Sequence, residues 1–289
     1  MSSNSQNHSD LETLSEWIGK TEQNRDFLDQ FPLTGLAALL NYDVPPWADG
    51  QLPPLAHWLY FLPVAREQEL DNDGHPKRGG FLPPVPLERR MWAGGRLEFT
   101  YPLHVGDDCE RHSNIADVKV KEGSSGRLVF VTVRHEIFSQ GQSCLVEEQD
   151  IVYRDPVSAS AATVAPSKQK DSPKADVVRT VTTTPITLFR FSALTFNAHR
   201  IHYDETHAKV VEGYEERVVH GPLLATMLAD LFYRSAPEKR ILRFSFRALK
   251  PLFVNTSVDL CLSWTPNGAK LWTQNEAGEI TMRAEVDTD

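Results

Sequence analysis

Asn197, His199 and His202 fall in the stretch FSALTFNAHRIHYDETHAKV, with Asp204, Glu205 and His207 close behind. An imidazole titrates near ~6.5, so such a cluster can take up and return protons at neutral pH. Gly221-Pro222 follows and opens the apolar run PLLATMLADLF. Proline suits a first helical position, and glycine lets a ligand approach the backbone. The first turn of that helix, around Gly221 and Leu223, would then offer free N–H groups to an oxygen gaining negative charge. The chemistry that fits is a proton transfer coupled to charge build-up on a substrate oxygen. A Gly-Pro pair that merely begins a core helix, beside histidines in an exposed polar loop, would use the same residues. Metal binding through His199-x-x-His202 with Asp204 or His207 is a further use of them. HExxH is missing and no cysteine lies near, so no metal is expected. Ser192 and Thr195 sit in no nucleophile elbow.

The elements that must hold these residues read as a helix over Leu11–Phe31, a second over Pro32–Asp43, and a proline-rich segment (VPPWADGQLPPLAHWLYFLP) barred from a central strand. DNDGHPKRGGFLPPVP reads as a loop. Near-alternating strands follow in GRLEFTYPLHVGDDC, DVKVKE, GRLVFVTVRHEIFS and SCLVEEQDIVYR. Residues 155–175 read as a Ser/Ala/Pro/Lys linker. Beyond them lie a strand-like VVRTVTTTPITLFRFSAL, the histidines, a helix over 222–233, and strands in ILRFSFRALKP, TSVDLCLSWT, AKLWTQ and EITMRAEV. The two sides of the linker share a Pro-Leu helix start (Pro32-Leu33, Pro222-Leu223) and a strand with Pro-Leu-x-Val (Pro102–Val105, Pro251–Val254), which suggests a duplication. The expected division is 1–154, linker 155–175, and 176–289, with the histidines only in the second half.

The chain has 289 residues, 40% apolar and 24% charged, with a net charge of −9. These values suit a soluble protein and argue against a nucleic-acid or membrane-surface partner. Cys109, Cys144 and Cys261 match no ligand spacing and read as reduced core thiols. With no apolar leader and no span of ~20 apolar residues, a cytoplasmic location is expected.

FSALTFNAHRIHYD followed by VVHGPLLATML resembles the MaoC-like, R-specific enoyl-CoA hydratases, and within them the type 2 hydroxyacyl-thioester dehydratases. LPPLAHWLYFLP, GGFLPPVPLERRMWAGG and PLHVGD extend the resemblance into the first half. It implies an α+β double hot-dog fold, two units of a central helix wrapped by antiparallel sheet, the first degenerate and the second catalytic. It implies a hydro-lyase acting on an acyl-CoA, without cofactor, assembled as a homo-oligomer, a dimer. The family's Asp-x-Asn-Pro-x-His falls on Asn197, His199, Arg200 and His202, and its oxyanion-binding glycine on Gly221. Asparagine cannot act as a base, which leaves His202 to activate a water oriented by Asn197, with His199 as brace or second proton carrier. Syn addition to the double bond is expected. The resemblance further suggests a branched C5 dicarboxyl substrate, itaconyl-CoA or mesaconyl-C4-CoA. Arg200, in place of the family's proline and near Arg190 and Arg217, is the expected partner of the distal carboxylate. Arg247, with Arg243 and Lys250, is expected at the CoA phosphates. A general 3-hydroxyacyl-thioester dehydratase, a hot-dog thioesterase and a non-catalytic acyl-CoA-binding protein are the alternatives.

Overall fold

The computed structural model describes residues 13–47, 50–123, 126–155 and 173–289. Ten strands among these residues form one sheet: β1 (Thr21–Phe27), β2 (Arg89–Phe99), β3 (Asp108–Gly123), β4 (Gly126–Ser139), β5 (Gln142–Arg154), β6 (Val177–Thr182), β7 (Ile241–Ala248), β8 (Ser257–Thr265), β9 (Gly268–Asn275) and β10 (Ile280–Thr288). Their order, β1-β3-β4-β5-β2-β7-β10-β9-β8-β6, is a palindrome of two five-strand halves joined where β2 meets β7. That seam is antiparallel, with Gly95 opposite Phe246 and Leu97 opposite Phe244. The expected α+β double hot-dog is the fold found. Of the expected linker, residues 156–172 lie outside the described residues.

Among the described residues three α-helices pack with the sheet: α1 (Gln30–Leu39), α2 (Pro185–Thr195) and α3 (Gly221–Ser235). α3 is the central one, because every residue from Leu223 to Phe232 is buried, and it touches β8, β9 and β10. One apolar cluster runs through both halves, from Leu36 and Leu145 to Leu228 and Leu260. Burying a leucine fully is worth about 1.5–3 kcal/mol, so the halves share their main source of stability.

Two expectations are corrected here. The helix expected over Leu11–Phe31 is a 3-10 turn (Thr13–Trp17) followed by β1. β1 is an edge strand whose backbone ladder to β3, from Thr21–Asn114 to Phe27–Asp108, outweighs a weak helical spacing. VVRTVTTTPITLFRFSAL is a strand only to Thr182. Thr184 then accepts the Thr187 N–H at 3.2 Å and Pro185 opens α2, a capped start that overrides the β-branched run.

The duplication is visible in the hydrogen bonds. Leu52 N–H donates to the Leu103 carbonyl at 2.8 Å, and Val219 N–H to Leu252 at 2.8 Å. Val105 N–H reaches Gly50 at 2.9 Å, as Val254 N–H reaches Arg217 at 3.0 Å. Gly106 N–H reaches Leu28 at 2.9 Å, as Asn255 N–H reaches Thr183 at 2.8 Å. This register matches α1 with α2, and not with α3 as the Pro-Leu pairs suggested. It also sets Pro53-Pro54 opposite His220-Gly221, where the first half has only a 3-10 turn, Ala56–Leu59.

Gly94 sits at the seam, where an added Cβ would stand 2.5 Å from the Phe246 carbonyl oxygen. Gly94→Val is expected to destabilise the chain by about 1–3 kcal/mol through overpacking. The urea-unfolding midpoint measures it.

Candidate active site

α2 ends at Phe196 in the left-handed region, φ 47°, and this reversal aims the next residues back across the helix. Asn197 N–H bonds the Ser192 carbonyl at 2.9 Å. Its side-chain Oδ1 accepts the His199 N–H at 2.9 Å, which leaves the amide NH₂ as the part of Asn197 available to a ligand. A single 3-10 turn, Arg200–His202, then delivers His202.

His202 is buried, and its Nδ1–H donates to the Val218 carbonyl at 2.7 Å. A carbonyl only accepts, so this bond fixes the tautomer and leaves Nε2 with a free lone pair. The ring stacks on His220 with centroids 3.6 Å apart and planes 19° from parallel. His220 is the N-cap of α3 and pairs its Nε2 with Ser192 Oγ at 2.9 Å. The candidate base is thereby held against the residue that precedes Gly221. At that helix start the first N–H groups have no intrahelical acceptor; Leu224 N–H is the one that reaches His220's carbonyl, at 3.2 Å. Beside Gly221 an added Cβ would lie 3.8 Å from the Trp92 carbonyl, so the first half closes over this end.

A second group comes from that half. Residues 71–76 dock onto the motif: Arg200 N–H donates to the Asp73 carbonyl at 2.9 Å. Gly74, at φ 91°, comes so close that a Cβ would lie 1.9 Å from the Ala198 oxygen. Only glycine fits. The turn puts the His75 ring 4.1 Å from that of His199, which is 5.4 Å from His202. Asp73 accepts the His75 N–H at 2.9 Å and its Nδ1–H at 3.0 Å.

Burial dominates the electrostatics. It pushes His202 from 6.5 down to about 4, and with the neighbouring imidazoles it holds His199 and His220 well below the usual range. His75 is lowered by burial and by Arg90, against the pull of Asp73. Burial opposes the charge on Asp73, but the hydrogen bonds and charge of His75 outweigh it and keep the carboxyl below its ordinary value. At neutral pH the stacked imidazoles are therefore uncharged and able to accept a proton.

Of the residues singled out by sequence, Asn197, His199, His202 and Gly221 come together. Leu223 contributes only its place in the helix start, its side chain being fully buried. Arg200 is committed elsewhere: Nε and Nη2 bond Asp204 at 3.1 and 2.6 Å, and Nη1 bonds the Asn72 carbonyl at 3.1 Å. Arg247 is exposed on β7 opposite Gly94. Arg243 pairs with Glu98 at 3.0 Å and Lys250 with Glu279, while Arg190 is exposed and Arg217 pairs with Glu216. His207 is buried 3.9 Å from Glu212 and joins none of the ring contacts above.

Asp73, His75, His220 and Ser192 were not legible as site residues. Asp73-Gly74-His75 reads as turn punctuation, and His220 is 18 residues beyond His202 in sequence. Asp204, the third metal ligand weighed from sequence, is tied to Arg200 and to the His207 N–H, at 2.9 Å. Asp73, His75 and His199 bring ligand-type atoms within 4.8 Å of one another, but both carboxylate oxygens of Asp73 already accept from His75. A cavity of about 290 Å³ lies at the other end of α3, between Pro53, Pro54, Thr226 and Tyr233, the first half's counterpart of this site. Among the described residues no helix is long and apolar enough to cross a membrane.

Two hot-dog halves that share a histidine-lined site place the chain in the double hot-dog class of fold. Of solved structures, a MaoC-like dehydratase from Phytophthora capsici superposes with a TM-score of 0.68 at 12% identity, over 96% of this chain and 97% of that one. A Mycobacterium tuberculosis protein described as a double hot-dog fold gives 0.55 at 12%, over 94% and 96%. The family model for hydroxyacyl-thioester dehydratase type 2 matches residues 55–254, and the chain belongs to that family. It is 46% identical over 277 residues to the mesaconyl-C(4)-CoA hydratase of Chloroflexus aurantiacus, covering 94% of this chain and 96% of the relative.

The buried imidazoles tie stability to pH. Above ~6.5 both folded and unfolded forms are neutral and the stabilisation is complete. Below it the unfolded chain protonates first, so stability should fall as pH drops toward the value of about 4 for His202. Each such group contributes a slope of up to about 1.4 kcal/mol per pH unit. Urea midpoints between pH 7.5 and 4.5 are expected to fall steeply, and less steeply in His202→Gln.

Proposed function

We propose that the chain hydrates the double bond of a 2-enoyl-CoA thioester, with a branched C5 dicarboxyl-CoA as substrate, mesaconyl-C4-CoA first and itaconyl-CoA second, giving citramalyl-CoA. One observation carries this reading: the free Nε2 of His202, its tautomer fixed by Val218, stands beside the N-terminus of α3. The likeness to the Chloroflexus hydratase supports the choice of substrate.

The thioester carbonyl lies at the Gly221 N–H, where the helix start stabilises enolate charge. His202 Nε2 takes a proton from a water held by the Asn197 amide, and the oxygen adds to the β-carbon. A proton then reaches the α-carbon from the same side. In the first half, Pro54 stands where Gly221 does and has no N–H to offer, and the sequence there carries no counterpart of the motif. That supports 176–289 as the catalytic unit and 1–154 as the degenerate one.

With Arg200 committed to Asp204 and Asn72, the cation for the distal carboxylate is Arg90. Its charge is felt by both His75 and His199, and it makes no ion pair among the described residues. Arg247, exposed at the seam, keeps the role of a CoA-phosphate contact. A cytoplasmic location accords with three free, buried cysteines. A homodimer accords with Phe31, Ile186 and Phe189, exposed on the packed helices α1 and α2; a single-chain mass on sedimentation would end that part of the reading.

Loss of the conjugated thioester absorbance, followed with mesaconyl-C4-CoA, itaconyl-CoA and crotonyl-CoA, tests the proposal, and a thiol reagent separates it from thioesterase action. His202→Ala is expected to lower turnover by roughly 10²–10⁴-fold with the fold intact. Arg90→Gln should lower kcat/KM for the dicarboxyl substrates by roughly 10–100-fold relative to crotonyl-CoA. Turnover near wild type in His202→Ala, or an unchanged substrate ratio in Arg90→Gln, would remove the respective assignment.

A further inference from the structure

We infer that Asp73 and His75, brought in by the first half, are the second proton-handling group of the site, with His75 as the acid that protonates the α-carbon and Asp73 as the residue that positions it. The inference rests on the hydratase reading above and supplies the proton donor which that reading leaves unnamed.

Water addition needs two proton events, one at the attacking oxygen and one at the α-carbon. The motif that supplies His202 has Asn197 where a carboxylate would stand, and its Oδ1 is already held by the His199 N–H. Asp204 is held by Arg200. Among the described residues, Asp73 is the carboxylate bonded to an imidazole of this cluster. It binds His75 twice, at the backbone N–H and at Nδ1–H, so the ring direction is set and Nε2 is left for transfer. A carboxylate behind an imidazole both orients it and stabilises its protonated form.

The loop is built for this place. Asp71 N–H closes the turn on the His75 carbonyl at 2.7 Å, and Gly74 N–H on the Asp71 carbonyl at 2.9 Å. Arg200 then fastens the turn through its N–H to Asp73 and its guanidinium to Asn72. The rings of His75, His199 and His202 form a continuous series with centroid separations of 4.1 and 5.4 Å. Arg90 and Arg78 also act on His75 and oppose its protonation, as burial does. Asp73 counters all three without cancelling them, so His75 stays below its ordinary value and its protonated share grows as pH falls. Glu212, close enough to feel Asp73, is itself paired with Arg89 at 3.1 Å.

The step balances. His202 Nε2 takes one proton from water while the oxygen forms its bond to the β-carbon. The π pair moves to the thioester, leaving an enolate at Gly221. His75, protonated at Nε2 as well as at the Nδ1 held by Asp73, gives its Nε2 proton to the α-carbon as the enolate collapses and is left neutral. The proton on His202 passes through His199 to His75, and one water has been added.

Steady-state kinetics of wild type, His75→Gln, Asp73→Asn and Asp73→Glu, between pH 5 and 9, tests this. His75→Gln is expected to lower kcat by roughly 10²–10⁴-fold with KM little changed. Asp73→Asn, close to isosteric, should move the alkaline limb of the kcat profile to lower pH without moving the acid limb, and Asp73→Glu should restore part of it. A role confined to holding the loop would lower activity or melting temperature in Asp73→Asn with both limbs in place, and that result overturns the inference. Activity lost to a chelator and regained with Zn²⁺ would overturn it too, because Asp73, His75 and His199 would then hold a metal. A wild type that leaves every enoyl-CoA unchanged fails the hydratase reading itself, whereas an active wild type with indifferent variants fails only this step.

Discussion

The peptide at Val218 governs the geometry of the site from both of its ends. Its N–H donates to the Ile201 carbonyl at 3.0 Å and its carbonyl accepts His202 Nδ1–H at 2.7 Å. Val218 in turn bridges Phe253, in the connection from β7 to β8. One short extended segment therefore clamps the histidine motif, fixes which nitrogen of His202 carries hydrogen, and leads directly into His220 and the start of α3. A buried imidazole with the opposite tautomer would present an N–H where a lone pair is required. The chemistry proposed depends on that carbonyl as much as on the ring.

The arrangement is not the property of one half. Gly74 meets Ala198, Trp92 meets Gly221, and the β2–β7 ladder sets the distance between them. Packing, backbone hydrogen bonds and sheet register thus converge on the same few residues. The first half has kept the scaffold, since its hydrogen bonds from Leu52 and Val105 repeat those of Val219 and Val254. At the matching place it has no α-helix start among the described residues: prolines at 53 and 54 remove two N–H donors, and a 3-10 turn follows at Ala56–Leu59.

Much of this was legible in the sequence where side chains carried the signal. The apolar stripe of α3, the alternating strands β7–β10 and the His-x-x-His spacing each follow from local pattern. β1 was hidden because TEQNRDF is polar on both faces and is held by backbone pairing at a sheet edge. α2 was hidden because its Thr-rich approach favours a strand until Thr184 caps it, after which Leu188 and Phe191 find the core. Asp73 and His75 were hidden for a different reason. Their meaning lies in a contact more than a hundred residues away, and nothing in a Gly/Pro-rich loop announces where it will dock. The bonds of Arg200 to Asp204 and Asn72 were hidden on the same ground, as proximity in sequence to a site does not reveal which carboxylate claims a guanidinium.

The paired prolines have a consequence for how such a chain can change. In an association of two identical subunits, each substitution appears at both active centres at once. Joined into a single polypeptide, the two centres become separate targets of mutation, and one can be dismantled while the other keeps working. A half freed in this way can carry a turn that reaches across to its neighbour, as residues 71–76 do, and can hold a hollow of its own at the far end of the shared helix, as the space between Pro53, Pro54, Thr226 and Tyr233 does.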